Sequence, residues 1–219
     1  MTRRHNLFNV TRVAIASVLA LASASCGSDL LRTGRAPVFL SITLMEAAKG
    51  NATSTFTSSL LSDVVTIVET TIGGVAVDVP TIFNDLGRAT IRVDLKEQFR
   101  ALDGAAAPTT PIQSVTINRY RVSFRRSDGR NTPGVDVPFG FDGAVGLTIP
   151  AGSEGGVVFD LVRHAHKAEP PLKNLQGLGG QVFISTVAEV TFFGHDQNGN
   201  EVTVTGLIDV TFADFGDEE

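Results

Sequence analysis

Apolar residues in this 219-residue chain recur at intervals of two, and that period decides what it can fold into. Successive side chains of a strand point to opposite faces, so a two-residue repeat supplies one face for a core and one for water. Val38, Leu40, Ile42 and Leu44 alternate with Phe39, Ser41, Thr43 and Met45. Ala89, Ile91, Val93 and Leu95 alternate with Arg88, Thr90, Arg92, Asp94 and Lys96, the pattern of a half-exposed strand. Helical spacing is expected only as a single turn over Pro171 to Gln176, introduced by Pro170 and ended by Gly177. The chain therefore reads as all-β.

Turn signals divide the alternating segments into hairpins. Gly73-Gly74 separates Val64 to Ile72 from Val75 to Ile82, and Asp142-Gly143 separates Val135, Val137, Phe139 and Phe141 from Val145, Leu147 and Ile149. Both dipeptides tolerate the positive φ angles of two-residue loops. The longest hairpin is expected to run from Val182 to Phe192, turn through Asp196-Gln197-Asn198-Gly199-Asn200, and return from Val202 to Phe212. In Val115 to Phe124 the apolar phase slips, since Val115 and Ile117 share one parity while Tyr120, Val122 and Phe124 share the other. A β-bulge near Asn118 or Arg119 accounts for the slip. Eight to ten strands joined largely by hairpins, without βαβ spacing, point to an antiparallel two-sheet β-sandwich of Ig-like or related topology, with a jelly roll as the alternative.

The first 26 residues carry a different message. Arg3, Arg4 and Arg12 precede an apolar run from Val13 to Leu21, and the small residues Ala22-Ser23-Ala24-Ser25 lead to Cys26, the sole cysteine. This is the order of a secretory signal. The apolar run is less than half of the roughly 20 residues a spanning helix needs, and no transmembrane helix is expected anywhere. The segment resembles the bacterial lipoprotein signal, in which a small residue precedes a cysteine that is lipidated and becomes the new N-terminus. Ser23 departs from that pattern, which usually has leucine three residues before the cysteine. The resemblance implies a signal peptide over 1–25 and a lipid on Cys26 with a tether over 26–36, which leaves 37–219 for the β-sandwich domain that the alternation predicts. Gly27 and Ser28 follow the cysteine, and the lack of Asp at the second position implies the outer membrane in a Gram-negative cell.

Loss of residues 1–25 removes three of 18 basic residues and none of 23 acidic ones, so 15 remain against 23 and the mature chain carries a net charge of −8. Nucleic acid is then an unsuitable partner. The mature part has no Trp, one Tyr (Tyr120) and 13 Phe, which suits core filling better than a surface of stacking rings. With its only cysteine at the anchor, the domain has neither a disulfide nor a thiol nucleophile to offer.

Two constellations are candidate ligand sites. His164 and His166 are separated by one residue; on a strand they would share a face with their Cα atoms about 6.7 Å apart, a spacing that suits two imidazoles on one divalent transition metal. Asp160 and Glu169 are the candidate oxygen ligands. The pair resembles the HxH-then-Glu motif of cupins, from which it departs in having two residues between His166 and Glu169 and Val158 where that family has glycine. Otherwise the two histidines are solvent-facing residues where a strand runs out into the basic, proline-rich stretch Arg163 to Lys173. Asp196, Asn198 and Asn200 resemble a calcium loop in their alternating oxygen side chains, but the glycine is fourth rather than sixth and no Glu closes the loop. Turn geometry explains Asn198-Gly199 equally. Ser153 lies near a nucleophile-elbow pattern that lacks its first glycine and its helix, and Gly177-Leu178-Gly179-Gly180 precedes a strand rather than opening a helix, so neither offers a catalytic or phosphate site. Arg125, Arg126, Arg130 and the stretch Lys167 to Lys173 are expected to be solvated loop charges. No cofactor follows from these residues, and the function they suggest is a non-catalytic binding or structural module that meets an envelope protein or polymer, with a metal-binding protein using His164 and His166 as the alternative.

Overall fold

Most of the alternating segments become strands in the computed structural model, which describes residues 34–97 and 109–216. The signal segment, Cys26 and the tether up to residue 33 lie outside the described residues, as do residues 217–219. The chain divides into two units, Met1–Ala36 and Pro37–Glu219, and the second is the β domain. Its strands are β1 (Val38–Ala48), β2 (Ser59–Asp63), β3 (Thr66–Ile72), β4 (Val75–Thr81), β5 (Asp85–Leu95), β6 (Val115–Arg125), β7 (Phe141–Ile149), β8 (Glu154–Val162), β9 (Ile184–Asp196) and β10 (Glu201–Ala213). A four-residue helix α1 (His164–Lys167) and a 3-10 turn over Leu172–Leu175 follow β8.

The strands form a three-stranded sheet in the order β1-β5-β8, a five-stranded sheet in the order β2-β10-β9-β6-β7, and a separate ribbon of β3 and β4. The two larger sheets pack face to face. Phe159 of β8 stands 5.0 Å from the ring of Tyr120 on β6 and 5.3 Å from that of Phe192 on β9. Ala89, Ile91 and Val93 of β5 and Val190, Phe192, Val210 and Phe212 of β9 and β10 fill the space between with no side chain left in solvent. The order β1-β5-β8 against β10-β9-β6-β7 is that of an Ig-like sandwich, A-B-E against G-F-C-C′. Tyr120 sits on the strand where immunoglobulin domains carry their buried tryptophan.

The all-β, largely antiparallel sandwich stands as expected, with one parallel pairing at its edge, where β2 runs alongside β10 and sets Ser59 against Asp209 and Asp63 against Ala213. Two expectations need correction. Asp142-Gly143 is no hairpin turn but part of β7. A Cβ on Gly143 would lie 2.3 Å from the Tyr120 ring, so the glycine makes room for that ring rather than for a reversal of the chain. Residues 135–140 form no strand, since the amides of Val135 and Asp136 turn back onto the carbonyl of Thr132 at 3.2 and 2.8 Å. The other turns stand as read. Gly73 and Gly74 have φ of 62° and 85°, the pair of positive angles a type I′ loop requires. The bulge appears as a register shift between Ile117 and Arg119 in the pairing of β6 with both neighbours.

Register also fixes the two ends of the sandwich. Val38, Leu95, Val115, Ile149 and Asp196 lie at one end; Ala48, Asp85, Val162, Ile184 and Ala213 lie at the other. The chain enters β1 at the first end. The β3–β4 ribbon leaves from the second, immediately after Asp63. On the ribbon, Val68, Thr70 and Ile72 share a face with their cross-strand partners Val79, Val77 and Val75, and most of that face is open to water.

Candidate functional site

Asp85 begins β5 in the inward phase of Gly87, Ala89, Ile91 and Val93, so the backbone delivers a carboxylate into the interior. Ser62 faces the same interior from β2, in phase with Leu60 and Val64. Lys167 closes α1 and reaches the pair from outside both sheets. Its Nζ lies 2.8 Å from Asp85 Oδ2, Ser62 Oγ donates to that same oxygen at 2.6 Å, and the amide of Gly50 donates to Oδ1 at 2.9 Å. Neither charge keeps more than 1% of its surface in water. A lone buried charge costs several kcal/mol, and the opposite charge with its added donors offsets that cost. The cluster thus ties the loop after β1, β2, β5 and α1 together at the far end. Substrate cannot reach the Ser62 hydroxyl, which is wholly buried and already donates to a carboxylate. This overturns the reading of Lys167 as a solvated loop charge.

The histidine pair is reorganised by α1. His164 and His166 lie on a helical turn rather than a strand, and residues two apart on a helix do not face one way. His164 is held by Asn84, whose Oδ1 accepts from the His164 amide at 2.7 Å and meets Nδ1 at 2.8 Å. Asn84 Nδ2 donates to Asp160 at 3.4 Å. The His166 ring instead packs 5.1 Å from that of Phe141, with Nδ1 buried and unbonded. Burial lowers the His166 pKa, and the nearby Arg163 charge pushes it the same way. Glu169 is exposed. Among the described residues no three His, Cys, Asp or Glu side chains come together to hold a metal, so the set His164, His166, Asp160 and Glu169 is not assembled.

The calcium reading meets the same finding. Asp196 is wholly buried and its carboxylate is consumed by the turn: Oδ1 accepts from the amides of Asn198 and Asn200 at 2.9 and 2.8 Å, and Oδ2 from Asn200 Nδ2 at 2.7 Å. The Asn200 side chain therefore turns its amide nitrogen to Asp196 where a calcium loop would aim an oxygen at an ion. Gly199 supplies the turn's positive φ of 80°.

Beside the buried cluster, a cleft of about 500 Å³ opens between the 49–57 loop, β2, the start of β3 and the C-terminal segment. Its walls include Lys49, Asn51, Thr57, Leu61, Ile67 and Phe215. Asp63, also on the wall, accepts from the amide of Phe215 at 3.2 Å and from Thr66 Oγ1 at 3.3 Å. A half-buried lysine, hydroxyls and an apolar floor could receive a small polar group. Sequence reasoning missed it because its residues come from four separate segments.

Arg163 completes this end. Its guanidinium lies 4.0 Å over the Phe141 ring and donates to the carbonyl of Asp142 at 2.8 Å. Tyr120, beneath, has its phenol pKa raised by burial and by the charge of Asp160, with Arg163 acting in the opposite direction.

No protein-family model matches the chain, and no curated protein matches it. Among solved structures, the X-ray structure of Northeast Structural Genomics Consortium target SoR45 is similar at 10% identity over 81% of this chain and 86% of that one, with a TM-score of 0.30. Agreement that low carries no argument about function.

Proposed function

We propose that the protein is a lipoprotein of the bacterial cell envelope, anchored to a membrane through a lipid on Cys26, whose β-sandwich is a non-catalytic binding or structural module for an envelope protein or polymer. The observation that carries this is the sole cysteine at the end of a secretory signal. The order of the domain agrees with it. β1 has 11 residues, about 36 Å of chain at 3.3 Å each, and starts at the end opposite the cleft and the ribbon. A tether joined at Val38 thus enters the domain at the end opposite the cleft and the ribbon. Each acyl methylene in the bilayer contributes about 0.8 kcal/mol, so the several chains of a lipoprotein suffice without a spanning helix. Among the described residues no helix is long and apolar enough to cross a membrane. In a Gram-negative cell the residues after Cys26 favour the outer membrane.

Intact mass of the wild-type protein extracted in detergent tests the anchor. The expected species begins at Cys26 and carries acyl mass. A chain that begins there without added mass, or at any later residue, refutes it and leaves a freely secreted domain.

A further inference from the structure

The β3–β4 ribbon is built unlike the rest of the domain. Directly opposed charges on the sandwich have opposite sign and are joined: Glu46 with Arg88, Glu154 with Arg92, Asp142 with Arg121. The ribbon instead sets Glu69 directly opposite Asp78, both exposed. Like charges at that position destabilise a strand pair. No basic residue occurs between Lys49 and Arg88 to relieve them. The other face of the same ribbon bares Ile72, Val75 and Val77, which are 62%, 64% and 39% exposed. A lone two-stranded ribbon is marginally stable in water, and β3 pairs only with β4 among the described residues, leaving its outer edge free. β3 contains no proline, whereas Pro80 removes a donor from β4.

We propose that the outer edge of β3 is a docking strip for an extended polypeptide segment of a partner that carries a lysine or arginine between apolar β-branched residues. The partner strand would extend the ribbon to three strands, cover part of its apolar face, and bring a cation to the Glu69–Asp78 pair. Charge decides against other occupants. A second copy would bring two more carboxylates to the same place on a chain that is already acidic, and an anionic lipid surface would be repelled by both. The proposal deepens the binding-module reading and rests on it only for having a polypeptide partner; loss of the lipid on Cys26 would leave it untouched.

The test uses the full, naturally processed protein, isotope-labelled, at low salt. It is titrated with a capped nine-residue peptide of alternating Thr and Val with Lys at the centre, and with its Glu-centred and Gln-centred counterparts, while amide resonances are followed. The Lys peptide should shift the amides of residues 66–72 and bind about tenfold more tightly than the Glu peptide, an advantage that about 0.5 M salt removes. Glu69→Lys should weaken the Lys peptide by a similar factor while leaving the ribbon folded, since it creates an opposite-charge pair with Asp78. Equal affinity for the three peptides, shifts confined to other elements, or no binding overturns the proposal. So does a dimer in sedimentation that dissociates on Val75→Asp, or ribbon-dependent binding to vesicles of phosphatidylglycerol and phosphatidylethanolamine.

Discussion

Lys167→Met would leave the Asp85 carboxylate in the interior without its cation. Removing one partner of a buried pair costs about 3–5 kcal/mol, and the urea midpoint should fall accordingly. The double replacement Asp85→Leu with Lys167→Met should recover most of that loss, because no charge then remains to be desolvated. Equal losses in the single and double variants would mean that packing, and not charge, holds the far end together. His166 gives a second residue-level expectation. Burial lowers its folded pKa below the ordinary 6.5, so as pH falls from about 7 to 5 the unfolded chain takes up this proton more readily than the folded one. Stability contributed by the neutral ring is present above the ordinary pKa and lost as pH falls. The melting temperature of the wild type should drop across that range more steeply than that of His166→Phe, which keeps the contact with Phe141; parallel curves would count against it. Asp85 was legible in part, since an Asp in phase with Ala89, Ile91 and Val93 is by position an inward carboxylate. Lys167 was not, because no periodicity in a four-residue helix marks which side chain turns inward.

The elements themselves were legible wherever period and turn chemistry agreed. β5, β9, β10 and the bulge in β6 follow from parity, and the Gly73-Gly74 loop from the positive φ that its two glycines allow. Asp142-Gly143 misled because a glycine in a strand can serve a neighbouring ring as readily as a turn. That distinction has a measurable consequence. Gly143→Ala pushes a methyl into the buried Tyr120 ring and should cost about 1–3 kcal/mol of unfolding free energy, the usual penalty of overpacking. Gly146→Ala, on the same strand with nothing within 4 Å of its Cβ, should stay within about 0.5 kcal/mol of the wild type. If the two variants unfold alike, the fit of Gly143 under Tyr120 is not what selects glycine there. α1 escaped the sequence because two histidines spaced by one residue look the same on a strand as on the turn that ends one.

At the scale of the molecule, the sequence conveys the sandwich but not which end gathers the polar residues, since the far-end cluster joins Gly50, Ser62, Asp85 and Lys167 across most of the chain. Nor does alternation reveal strand direction, and the parallel pairing of β2 with β10 is invisible to it. That pairing has a consequence for how the chain reaches its native state. A polypeptide that emerges N-terminus first, from a ribosome or through a translocation pore, presents β2 early and β10 last. Until Glu201–Ala213 is out, β2 has no edge to join and β9 lacks the neighbour that covers its full length. Contacts between such distant segments close slowly, because the loop between them must be ordered first. Among the described strands the pairings of β10 are thereby the latest that can form, and the parallel edge of the five-stranded sheet closes only with them.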